Sequence, residues 1–106
     1  MPAEALGAVR KRIERGWSQE ADARDGSGKA VAMVGESAEA WSVLGAFALA
    51  ATDGIPINHI HGALRALADV TQANSLKEWN DAPLRTQQDV LDALDAAIAQ
   101  IEREPQ

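Results

Sequence analysis

The chain has 106 residues, no cysteine, and ten Lys or Arg against sixteen Asp or Glu, a formal net charge of -6. That length holds one domain, residues 1–106, with a core of modest size. Without cysteine, disulfide frameworks, Fe–S clusters, Cys-ligated zinc and thiol nucleophiles are excluded, and the acidic balance argues against general nucleic-acid binding, because phosphate contacts need a basic face.

The hydrophobic fraction of 46% includes 22 alanines, which favour helix but bury little area each. The longest apolar run, Val43 to Ala51, is nine residues and too short to cross a bilayer core of about 30 Å. The N-terminal stretch lacks the apolar core of a signal peptide, so a soluble cytoplasmic protein with no membrane contact is expected.

In chain order, Glu4 to Arg15 carries Leu6, Val9 and Ile13 at helical spacing, continued by Trp17, and predicts a first helix ended by Gly16. Arg10, Lys11, Arg12 and Arg15 on it form the one basic cluster of the sequence, able in principle to grip phosphate or an acidic partner but better suited to solvating the helix or pairing with acids of the last one, since no aromatic or glycine loop is interleaved. Asp25-Gly26-Ser27-Gly28 is a turn signal, and a short hairpin is predicted around it, with Gln19 to Arg24 as first arm and Lys29 to Val34 as second, or else an irregular loop. A second, buried helix is expected from a Ser37 cap to Ala51, with Trp41 in the core beside Trp17. A third helix opens at Pro56 with Asn58 as its cap, buries Ile60, Ala63, Leu64 and Leu67, and stops at Asn74-Ser75. Leu76 to Asp81 reads as a connector. Thr86 to Asp89 has the spacing of a capping box and starts a last helix with Val90, Leu91, Leu94, Ile98 and Ile101 on its apolar stripe. The expected fold is mainly α: one bundle of about four helices with a β-hairpin or loop insertion between the first two.

Gly16-Trp17, Asp25-Gly26, Trp41 with Leu44-Gly45-Ala46, and above all W-N-D-x-P-x-R-T-x-x-x-V-L from Trp79 to Leu91 occur in this order. Together they make residues 16 to 103 resemble a family of small bacterial and phage proteins, a domain of unknown function. The resemblance implies a shared fold and no particular activity. Many members carry cysteine where this chain has Ser42, so no thiol chemistry transfers to that position.

Trp79-Asn80-Asp81 has two readings. In one, Trp79 plugs the core, Asn80 and Asp81 bond nearby backbone, and Arg85 pairs with Asp81 to fix the turn. In the other, Trp79 anchors a partner protein with Asn80, Asp81 and Arg85 as its polar rim. Asp89, Asp92 and Asp95 recur every three residues on the last helix and read as a solvated acidic face, available to a basic partner. His59 and His61, with Asp53 near in sequence, are considered as metal ligands. Two residues apart at a helix start, they point about 200° from each other, a poor metal pair. No metal and no cofactor is expected.

These features favour a non-enzymatic interaction module that binds another protein through Trp79, Asn80, Asp81, Arg85, Asp89, Asp92 and Asp95. The alternative is a small enzyme or ligand-binding protein with a site between helices three and four built from His59 or His61, Asp81 and Arg85. A homodimer whose alanine-rich helices complete each other's cores is a third reading.

Overall fold

In a computed structural model, which describes residues 2 to 103, α1 runs from Pro2 to Arg15 and buries Ala5, Leu6, Val9 and Ile13 along one stripe. The chain then passes through two short strands, β1 (Ala23–Arg24) and β2 (Ala40–Trp41). Four more helices follow: α2 (Val43–Thr52), α3 (Ile57–Thr71), α4 (Leu76–Asn80) and α5 (Gln87–Arg103). The mainly helical fold with a small β insertion between the first two helices is the one the sequence predicts. α1 packs against α2, α3 and α5, and α3 against α5, so these four helices enclose the core while α4 rests on α2. Leu67 of α3 and Val90 and Leu94 of α5 meet the α1 stripe there, all fully buried.

The insertion differs in register from the predicted hairpin. The Asp25 turn forms as expected: Asp25 Oδ1 accepts from the Ser27 N–H at 2.9 Å and the Lys29 N–H at 3.0 Å. Beyond it only a single bridge, Arg24 to Ala30, joins the two arms. The strand partner of β1 is instead β2, antiparallel, with Ala23 opposite Trp41 and Arg24 opposite Ala40. The other edge of Trp41 exchanges backbone bonds with the chain leaving α1, its N–H reaching Gly16 O at 3.0 Å and its C=O accepting from Ser18 at 3.1 Å. Gly16 has no room for a side chain here, since a Cβ would run into the Glu39 carbonyl.

These pairings keep residues 38 to 42 out of the second helix, which begins five residues later than predicted, at Val43. Its cap is Ser42, whose hydroxyl accepts from the Gly45 N–H at 3.0 Å, and not Ser37. Trp41 is in the core, 3% exposed, but on a strand. Asn58 lies inside α3, whose cap is Pro56 and makes no side-chain cap bond. α3 ends at Gln72, in a left-handed conformation with φ 58°. Ser75 caps α4 by accepting from the Glu78 N–H, which turns the expected connector into one and a half turns of helix. The capping box closes α5's start in both directions: the Thr86 hydroxyl accepts from the Asp89 N–H and the Asp89 carboxylate from the Thr86 N–H, each at 3.1 Å.

Candidate functional site

The polar centre of the fold is Asn80, 1% exposed at the end of α4. Its Oδ1 accepts from Trp17 Nε1 at 2.8 Å and from the Val43 N–H at 3.1 Å. Its Nδ2 donates to Ser18 O at 3.1 Å and to Asp81 Oδ1 at 2.9 Å. Val43 opens α2, so its N–H is one of the donors a helix leaves unsatisfied at its start, and Asn80 supplies the acceptor from 37 residues away. One side chain thus fastens the exit of α1, the start of α2 and the end of α4 together. Both acceptor positions and both donor hydrogens of the amide are used.

Around this centre the segment after Trp17 is drawn against α4. Gln19 Nε2 donates to Asn80 O at 3.0 Å and Ala82 O at 2.9 Å. The Glu20 N–H donates to Asp81 Oδ1 at 2.9 Å, and Glu20 stands at φ 64°, a conformation that costs a non-glycine residue energy and is retained because the surrounding bonds hold it. Burial pushes the Asp81 carboxyl up, but the bonds from Glu20, Asn80 and Lys77 outweigh it and hold the group below its ordinary pKa. Lys77 Nζ is 3.3 Å from Asp81 Oδ2.

The held segment, the start of α2 and α4 enclose an open cleft of about 260 Å³. Glu20, Asp22 and Asp81 line it against the single cation Lys77, and Leu44, 36% exposed, is its largest apolar lining residue. Gly45 lets the wall close, because a Cβ there would collide with the Asp22 carbonyl. Past Asp81 the chain turns through Ala82, Pro83 and Leu84. Leu84 is 92% exposed. The turn is pinned on both sides: Arg85 N–H donates to Ala82 O at 3.0 Å, Arg85 Nε donates to Trp79 O at 2.9 Å, and the guanidinium lies 4.2 Å from the Trp79 ring centroid. Arg85 therefore stacks on Trp79 and does not pair with Asp81, whose cationic partner is Lys77. Trp79 itself is half-buried against the core.

The remaining candidates are dispersed. Asp89 caps α5, Asp92 accepts from Gln88 Nε2 at 2.8 Å, and Asp95 accepts from Arg10 Nε of α1 at 2.6 Å, so the three acids have three separate partners. The histidines are at the start of α3, which follows the C-terminal end of α2, whereas Asn80 holds the N-terminal end. Ten residues of α2, about 15 Å, separate the two places. The structure does not bring His59 or His61 to Asp81 and Arg85. Among the described residues no group of three His, Asp or Glu is arranged to hold a metal ion, and no helix is long and apolar enough to cross a membrane.

The same geometry now has a family attached to it. A model of the family of unknown function DUF6197 matches residues 1–100, a span that takes in α1, the insertion, the cleft and nearly all of α5. The chain belongs to that family. No curated protein and no solved structure matches it.

Within the matched span, Glu20, Asp22, Ser42, Leu44 and Lys77 join Asn80 and Asp81 at the cleft; Ser42 and Leu44 stand in the family resemblance, and none of the five is a candidate site residue from the sequence. Nothing in the local pattern marks them. They meet because Asn80 reaches across more than 60 positions to Ser18 and Trp17.

Proposed function

We propose that the protein is a non-enzymatic interaction module whose α4 face docks a segment of another protein carrying basic and apolar side chains. One observation carries this reading. Of the four large apolar side chains exposed among the described residues, Leu44 lines the cleft in which three carboxylates face one lysine, and Leu84 stands on the turn three residues past Asp81. The side chains of Asn80 and Asp81 are bonded to the segment after Trp17 and to the start of α2, which makes the support rigid, so an incoming segment loses less free energy to ordering the surface it meets. Exposed apolar residues set among charge are the usual make-up of a contact patch.

Selection of twelve-residue peptides from a random display library on the full chain tests this. A set rich in Lys or Arg with apolar neighbours is expected, and its members should lose about tenfold or more in affinity for E20K/D22K and for L84D, with folding unchanged by circular dichroism. Recovery of no basic set, or of one that binds both variants as well as the wild type, removes this function from the α4 face.

A further inference from the structure

The basic cluster of α1 is divided by the fold. Arg10 turns to α5 and is bonded to Asp95 and Glu14. Lys11, Arg12 and Arg15 turn to the other side, where α1 meets α2, and line a groove. Two adjoining cavities of about 310 and 320 Å³ make this groove, and Arg12, Arg15 and Asp53 belong to both. Ala8, Ala46 and Ala50 line the first, and Met33 and Val34 stand at the second. On α2, Ala46 is two residues and about 200° from Leu44, so the groove and the acidic cleft use opposite faces of that helix.

Arg12 and Arg15 are both stacked on the Trp41 ring, at 5.2 and 5.7 Å from its centroid. This contact restricts two flexible side chains and occupies the face of each guanidinium, leaving the in-plane N–H donors available. Among the described residues neither guanidinium donates a hydrogen bond. Arg12 is ion-paired with Asp53 at 3.6 Å, and among the described residues no carboxylate lies within ion-pair distance of Lys11 or Arg15. Among the described residues Glu36 is the other acid lining the groove. Two guanidinium forks that donate no hydrogen bond, one of them ion-paired with Asp53, stand beside a lysine and near Ala8, Met33 and Val34, and suit a ligand with several carboxylates and apolar groups between them. A lone phosphate would leave most of the groove empty. A nucleic acid would need exposed aromatic rings for its bases, and Trp41 is 3% exposed beneath the arginines.

We propose that the α1–α2 groove binds an acidic peptide segment of another protein, with its carboxylates on Lys11, Arg12 and Arg15 and its apolar side chains against Ala8, Met33 and Val34. This site is independent of the cleft at Asn80.

The same display selection on the full chain yields the test. A second peptide set, rich in Asp or Glu with apolar residues between them, is expected. Fluorescein-labelled members should bind K11E/R15E about tenfold or more weakly than wild type, and should weaken as salt rises from 50 to about 300 mM. Because Arg15 touches Trp41, the exposed single variant K11E is the second readout: it leaves the fold intact and should also weaken binding. E20K/D22K should bind the acidic set as wild type does, so a failure at the cleft is distinguishable from a failure here. Acidic peptides that bind K11E and K11E/R15E undiminished, a selection with no acidic set, or competition of the set by a single-stranded oligonucleotide would each overturn the proposal.

Discussion

Replacing Asn80 by leucine, of nearly the same shape, removes both halves of its amide and leaves the partners where they are. The Val43 N–H and the Ser18 C=O belong to buried residues and have no route to water, whereas Trp17 is half-buried and can find one. An orphaned buried donor or acceptor costs about 1–3 kcal/mol, so the two together cost about 2–6 kcal/mol. A domain of this length has a total stability of about 5–15 kcal/mol, and Asn80→Leu consumes a large share of it. At about 4–8 °C per kcal/mol, the melting temperature falls by at least about 8 °C. Thermal melting followed by circular dichroism at 222 nm, together with a denaturant titration for the midpoint, measures the loss. A shift below about 3 °C would mean that water or local rearrangement satisfies Val43 and Ser18, and that Asn80 is not the joint between α1, α2 and α4.

Gly45→Ala tests the close approach of the α2 start to the Asp22 carbonyl. Alanine gains about 1 kcal/mol of helix propensity, yet the collision should turn the net change into a destabilisation of about 1–3 kcal/mol in denaturant unfolding. Asp89→Ala removes one arm of the capping box and should cost about 0.5–2 kcal/mol, while Asp95→Asn breaks only an exposed pair with Arg10 and should cost less than about 1 kcal/mol. The order of the two melting temperatures checks this. Asp81 titrates below its ordinary value in the folded chain, so its contribution is present above the unfolded carboxyl value near pH 4 and is lost as pH falls through the folded value. Denaturant midpoints taken between pH 2 and 6 should therefore fall less steeply in acid for Asp81→Asn than for the wild type, and equal slopes would show that the bonds from Glu20, Asn80 and Lys77 do not favour the charged form.

Helical periodicity and caps made much of this fold legible. Leu6, Val9 and Ile13 recur at the helical interval and are buried, and Thr86 and Asp89 close the box that their spacing announces. Local signals misled where a distant partner decides. Ser37 is as good a cap residue as Ser42, but Ala40 and Trp41 are claimed by β1 and by the chain leaving α1, so the helix starts after them. Arg85 and Asp81 are near in sequence and opposite in charge. Even so, Arg85 stacks on Trp79 while Asp81 takes Lys77, one helical turn before it.

The candidate surfaces show the same division. From composition and spacing came a small acidic helical chain, the stripes of α1, α3 and α5, and the singular Trp79-Asn80-Asp81, because these depend on residues within a few turns of one another. Only the tertiary structure decided that Asn80 joins three elements, that Glu20 and Asp22 line a cleft with Leu44, and that Arg10 meets Asp95 while Arg12 and Arg15 stack on Trp41. Those outcomes depend on pairings across as many as 85 positions, such as Arg10 with Asp95, which no local period encodes and which packing of the whole chain selects.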